Sequence, residues 1–316
     1  MRTQSNRSAK RPVQWAMGAA MSLGLAATLA ACGGGAASGK VTHIQMAAQD
    51  FAEPRIDDWL VKYLIQAKTP VKVSISYTTG ASGLLHTLLL KNSIQAYVGY
   101  DGTEFTGPLH QAYTGKWKGH PNAVAAYVVK QEQKKWGLWV SPSLGYQDTY
   151  ALAVQSSVAK KYHLTTDAQV AKYAPHWVIG TDPTFQQRAG DGYRAFTAAY
   201  GLHFKSAKAM DYSLMYEALA QGSIQAAVAY STDPRLTKLH ETALKDTKHF
   251  FPPYHGIVII QSKIVKEWHL NKVLKPLMGL ITTKDQMQMN YDVEVLHQSP
   301  QTVAKNFLVK HGLLKS

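Results

Sequence analysis

Apolar positions downstream of residue 40 follow two alternating rhythms. Val41 to Ala47, Val71 to Tyr77 and Ile94 to Tyr100 have the short, β-branched or aromatic character of strands. Between them, Arg55 to Ala67 and Leu84 to Leu90 repeat their apolar side chains at helical spacing. Strands and helices in regular succession predict an α/β sheet. Pro54 fits the first turn of the earlier helix, where its missing N–H costs no hydrogen bond. Gly80-Ala81-Ser82-Gly83 suits a tight turn that caps the next one.

The pattern repeats. Ser93-Ile94-Gln95-Ala96-Tyr97-Val98-Gly99-Tyr100 matches Ser223-Ile224-Gln225-Ala226-Ala227-Val228-Ala229-Tyr230 at six of eight positions, 130 residues apart. Each copy follows a helical stretch, His86 to Lys91 and Leu214 to Gln221. A weaker echo pairs the strand ending at Ala48 and its Asp50-x-x-Glu53-Pro54 with the strand His176 to Gly180 and its Asp182-Pro183-Thr184-Phe185. Two similar lobes are expected, with Tyr100 and Tyr230 at carboxyl ends of strands, where α/β units collect ligands. The crossings belong near Ser143 to Tyr146 and Phe250 to Tyr254, which makes residues 41–143 plus 250–316 one lobe and 144–249 the other.

The N-terminus has a different character. Arg2, Arg7, Lys10 and Arg11 precede an apolar run from Trp15 to Ala31, the layout of a signal peptide over residues 1–31. It ends at Leu29-Ala30-Ala31-Cys32, which resembles the lipobox of bacterial lipoproteins and implies lipidation of Cys32, the single cysteine. A glycine-rich tether, residues 32–40, follows. Lipidation would leave no thiol for disulfides, zinc or nucleophilic catalysis. No later apolar stretch reaches membrane length. The expected location is extracytoplasmic, on a lipid anchor at the bacterial cell membrane.

The formal charge of +14 shrinks without the four leader bases, which leaves 30 basic against 20 acidic residues. Lysines are scattered, as in Lys134-Lys135 and Lys160-Lys161, rather than interleaved with aromatics in one patch. That argues for a solvated basic surface and against a nucleic-acid partner. His249 and His255 flank Phe-Phe-Pro-Pro-Tyr without helical spacing or a neighbouring carboxylate, so no metal site is expected. GxSxG, P-loop and dinucleotide fingerprints are absent from the sequence; no cofactor and no enzymatic activity are expected.

Six segments carry a resemblance. They are Asp50-Phe51-x-Glu53, Tyr100-Asp101-Gly102-Thr103, Asp148-Thr149-Tyr150-Ala151-Leu152-Ala153-Val154, Ala229-Tyr230-Ser231-Thr232-Asp233, Lys248-His249-Phe250-Phe251-Pro252-Pro253-Tyr254, and Ser299-Pro300-x-x-Val303-Ala304-x-x-Phe307-Leu308. In this order the chain resembles the substrate-binding proteins of osmoprotectant importers of the ABC type, which take glycine betaine, carnitine or choline. The resemblance implies a two-lobed type II periplasmic-binding-protein fold with the ligand cleft between the lobes, a monomer that delivers its solute to a permease. It also implies an aromatic cage of Tyr100, Tyr150, Tyr230 and Tyr254. The chemistry suits a quaternary ammonium, which has no N–H to donate and is held by electron-rich ring faces.

Thr103 stands where the resemblance implies a specificity residue, whose hydroxyl tolerates zwitterions, so glycine betaine or broad specificity is expected. Pro54 departs from the pattern, because relatives commonly carry there a Gln whose amide meets the ligand carboxylate. Thr103, Gln49 or backbone amides then replace it, or the ligand has no carboxylate. Two other readings stay open: a binder of a different cationic or amino-acid-like solute, which needs an acidic partner for the cation, and an extracytoplasmic enzyme on the same fold.

Overall fold

The structure is a computed structural model and describes residues 39–315 apart from 50, 79–81 and 188–189. The leader and Cys32 lie outside the described residues. So do Gly80 and Ala81 of the expected turn.

The chain starts with β1 (His43–Gln49), α1 (Ala52–Lys68), β2 (Lys72–Thr78), α2 (Ser82–Leu90), β3 (Ala96–Tyr100), α3 (Asp101–Thr106), α4 (Pro121–Trp136) and β4 (Leu138–Val140). It continues through β5 (Tyr150–Gln155), α5 (Ser156–Tyr162), β6 (Val178–Thr181), α6 (Pro183–Gln187), α7 (Tyr193–Tyr200), β7 (Ser206–Ala209), α8 (Tyr212–Ala220), β8 (Ala226–Tyr230), α9 (Arg235–Lys238) and β9 (Glu241–Ala243). It closes with β10 (Gly256–Gln261), α10 (Ser262–Trp268), α11 (Leu270–Leu274), α12 (Thr283–Glu294) and α13 (Pro300–Lys310).

Two five-stranded mixed sheets result, in the orders β2-β1-β3-β10-β4 and β7-β6-β8-β5-β9. In the first, β1 runs parallel to β2 and β3, and β10 lies antiparallel to β3 and β4. In the second, β6 is parallel to β7 and β8, and β5 is antiparallel to β8 and β9. The sheets therefore share one plan, and the repeated octapeptide ends on matched strands, β3 and β8. The weaker echo falls on β1 into α1 and β6 into α6, again matched.

Helix α1 shows why these residues fold as they do. Ile56, Leu60, Val61, Leu64 and Ile65 form a buried stripe. Glu53 in its first turn and Lys68 in its last complement the helix dipole, and Pro54 sits in the first turn. C-terminal helices α12 and α13 pack on α1, so the tail of the sequence completes the layer begun at its head. Helix α4 stops at Gly137, whose φ of +65° lets its N–H reach back to the carbonyls of Gln133 and Glu132.

The polypeptide passes from the first sheet to the second between β4 and β5, and returns between β9 and β10. The two connections lie side by side: Leu144 N–H donates to the Gly256 carbonyl at 2.8 Å and Asp148 N–H to the Tyr254 carbonyl at 3.0 Å. Gln147 and His255 form an antiparallel bridge between them.

Candidate functional site

Three of the four expected tyrosines come together. Tyr150 opens β5 and is the direct antiparallel partner of Tyr230 at the end of β8, so both rings leave the same face of the sheet. Their centroids are 4.9 Å apart at 37°, with the phenol oxygens at 3.4 Å. Tyr254, from the returning connection, meets Tyr150 edge-on at 6.1 Å and 86°. Phe185 of α6 and Phe251 add rings 5.0 and 5.5 Å from Tyr150. Both phenylalanines stand in segments singled out in the sequence, but neither is a tyrosine at a motif position, and only the fold turns them toward Tyr150.

Tyr100 ends β3 in the other sheet. Buried, it donates its phenol to Glu53 Oε1 at 2.7 Å. Glu53 Oε2 accepts from Asn290 Nδ2 of α12 at 3.0 Å, and the same amide nitrogen reaches the Thr232 carbonyl, beyond β8, at 3.2 Å. Tyr146 donates to Asp57, the next acidic residue along α1. Thr103 is half-buried in α3, its carbonyl accepting from Gly107 N–H. Thr103 shares the first sheet's side with Tyr100, whereas the ring cluster is built on the second sheet and the returning connection.

Helix α3 is held against that connection. Asp101 accepts from His255 N–H through Oδ1 and pairs with His255 Nδ1 through Oδ2, both at 2.8 Å. The same interaction raises the His255 pKa against the effect of burial. It also gives this histidine a partner that is neither local in sequence nor a metal. A Cβ on Gly102 would come within 2.0 Å of the Pro253 carbonyl oxygen, so glycine is required for this approach.

Carboxylates adjoin the rings, which sequence reasoning did not foresee. Tyr254 donates to Asp191 Oδ2 at 3.2 Å. Asp182 accepts from Phe185 N–H at 3.0 Å as it caps α6. Asp148 accepts from the Thr232 hydroxyl at 2.7 Å. Burial raises the pKa of Asp148 well above the ordinary carboxylate value, and the charge of Glu53 adds to it. Burial raises Glu53 as well, opposed by the hydrogen bonds from Asn290 and Tyr100. The Tyr230 phenol is pushed up by burial, then by Tyr150 and the charge of Asp182. Asp148 and Asp182 were visible in the motifs, but which side chain faces which ring is set by the second sheet.

A wall of aromatic faces bordered by acidic groups matches the chemistry of an organic cation. Residues 42–310 match the model of the substrate-binding domain of the ABC-type glycine betaine transport system. The chain belongs to that family. It is 32% identical over 271 residues to a carnitine transport binding protein of Listeria monocytogenes, covering 85% of this chain and 87% of that protein. It is 31% identical over 246 residues to an ergothioneine transport permease/ergothioneine binding protein of Helicobacter pylori, covering 77% of this chain and 43% of that one. The crystal structure of a glycine betaine/carnitine/choline ABC transporter protein superimposes with a TM-score of 0.77 at 30% identity, over 85% of this chain and 99% of that one. The fold is that of type II periplasmic binding proteins, and the family consists of extracytoplasmic substrate-binding proteins of transporters, not of enzymes. Among the described residues no helix is long and apolar enough to cross a membrane.

Proposed function

We propose that this protein captures small quaternary-ammonium solutes in an aromatic cage of Tyr100, Tyr150, Tyr230 and Tyr254, with Thr103 at its edge, and hands them to an ABC importer. Residues 41–143 with 250–316 form one lobe and 144–249 the other. Cys32 carries a lipid anchor at the end of the leader, and the mature protein works as a monomer. The observation that supports the cage best is the packing of Tyr150 against Tyr230 and Tyr254, 4.9 and 6.1 Å away. A desolvated cation over one ring gains about 2 kcal/mol. Three such faces supply about 6 kcal/mol, a large part of the roughly 8 kcal/mol of a micromolar complex.

The carboxylates favour one class of occupant. Pro54 brings no amide toward a ligand carboxylate, and Asp148, Asp182 and Asp191 stand near the rings. A choline-like cation is therefore favoured over a zwitterion, whose carboxylate would face Asp182 and Asp191 and forfeit a hydrogen bond worth about 1.5–3 kcal/mol. Calorimetric titration with choline, glycine betaine, carnitine and ergothioneine tests both statements. Binding of choline ahead of glycine betaine is the expected order. Failure of every quaternary ammonium, with binding of an uncharged solute, would reject the cage.

A further inference from the structure

A second group of titratable side chains lies on the opposite face of the first sheet. Side chains along β3 alternate: Val98 and Tyr100 join the main core, while Tyr97 joins a separate apolar cluster with Leu85, Phe105 and Val128. Into that cluster α2 projects His86, α3 projects Glu104 and α4 projects Glu132, respectively 4%, 0% and 0% exposed. His86 Nε2 lies 3.1 Å from Glu132 Oε2. One donor atom from each of the three residues lies within 4.8 Å of those from the other two. Glu104 Oε2 and Glu132 Oε1 are buried without a hydrogen-bond partner.

Apolar surroundings penalise two neighbouring carboxylates twice, through lost hydration and through mutual repulsion. Nothing in the aromatic site requires them. We propose that His86, Glu104 and Glu132 hold one divalent transition-metal ion as a structural brace. One imidazole nitrogen and two carboxylates form a donor set that suits zinc or manganese. Two carboxylates balance the double charge, so the occupied site is neutral, as an apolar cluster requires. With bonds of about 2.0–2.1 Å, donor atoms in a tetrahedral shell stand about 3.4 Å apart. The His86–Glu132 pair is already near that spacing, and Glu104 closes the remainder by side-chain adjustment.

The surroundings fit ligands that are held in place. Tyr97 donates to Glu104 Oε1 at 2.8 Å, the kind of outer hydrogen bond that orients a metal-binding carboxylate. Trp136 packs edge-on against the His86 ring at 4.6 Å. Because all three residues are buried, the ion enters during folding rather than through an open mouth. Its effect is to tie α2, α3 and α4 together directly behind Tyr100, from which α3 departs.

The test uses the full chain, purified without a polyhistidine tag. It is unfolded in guanidinium with a chelator, then refolded with zinc, with manganese or with neither, and desalted. Elemental analysis should find about one equivalent of zinc or manganese per chain, and the metal-loaded form should melt several degrees above the metal-free form. Glu104→Gln and His86→Gln preserve shape, and each should abolish retention and make the melting temperature indifferent to metal. Retention below about 0.1 equivalent for both ions in the wild type, with melting unaffected by metal or chelator, would overturn the proposal. Full retention by Glu104→Gln would overturn it as well. If neither variant folds, the wild-type measurements alone decide.

Discussion

Replacing Tyr150 separates its ring electrons from its bulk. This side chain touches Tyr230, Phe185, Phe251 and Tyr254 at centroid distances from 4.9 to 6.1 Å, so it is the common neighbour of the whole cluster. Tyr150→Phe keeps the quadrupole and loses the phenol, whose contact with Tyr230 at 3.4 Å is a weak one. Its dissociation constant for choline should remain within about threefold of wild type. Tyr150→Leu keeps an apolar side chain but removes the ring face. The loss of one desolvated cation–π contact, about 2 kcal/mol, corresponds to about 30-fold weaker binding. Lost ring packing adds a stability cost, so urea denaturation must accompany the calorimetry and show that the leucine variant is folded at the titration temperature. A folded Tyr150→Leu protein that binds choline within threefold of wild type would refute the reasoning.

Three further outcomes follow from the buried groups. Burial holds Asp148 protonated above its ordinary range and a bound cation favours its ionised form, so choline affinity should fall as the pH is lowered from the alkaline side to about 4, the ordinary carboxylate value. Asp148→Asn should bind more weakly with little pH dependence, and a wild-type affinity flat across that range in calorimetry counts against the carboxylates. Asp167, buried with both carboxylate oxygens unpartnered, is pushed up to about 8 by burial and then by the charge of Asp246. An unfolded aspartate releases its proton near pH 4, so this stabilising effect is complete below that value and lost as the pH rises through 8. Asp167→Asn should therefore raise the melting temperature relative to wild type at about pH 8 and narrow the difference at about pH 5. Finally, a Cβ at Gly256 would lie 2.5 Å from Cζ of the fully buried Tyr146, so Gly256→Ala should cost about 1–3 kcal/mol in urea denaturation.

The repeated plan was legible because matched strands need matched apolar faces. The octapeptide ending at Tyr100 and its partner ending at Tyr230 therefore occupy corresponding strands. Strand and helix boundaries shifted by only a few positions, as for β1, expected at Val41 to Ala47 and found at His43–Gln49. Tyr100, Tyr150, Tyr230 and Tyr254 are read as one set from their motifs and three of them lie together, but motif order carries no distances. It could not show that Tyr100 spends its phenol on Glu53, or that Phe185 and Phe251 complete the wall around Tyr150. The buried acids were the least legible part. Asp57 and Asp58 look like the polar face of α1, and only the packing of Tyr146 and of β3, whose Val98 N–H reaches Asp58, turns them inward. His86, Glu104 and Glu132 are likewise ordinary surface letters in three separate helices until those helices share one face of a sheet.

The paired connections between the two sheets constrain how the molecule can breathe. Two segments cross-linked by Asp148 to Tyr254 and Leu144 to Gly256 form a ribbon rather than two independent tethers. A ribbon flexes easily across its flat side and resists sliding, so if the two proposed lobes part, the motion would be a hinge-like swing. Tyr254 rides on that axle. In such a swing its ring would change position least, a stationary post against which an incoming solute would lodge before the far side swings over it.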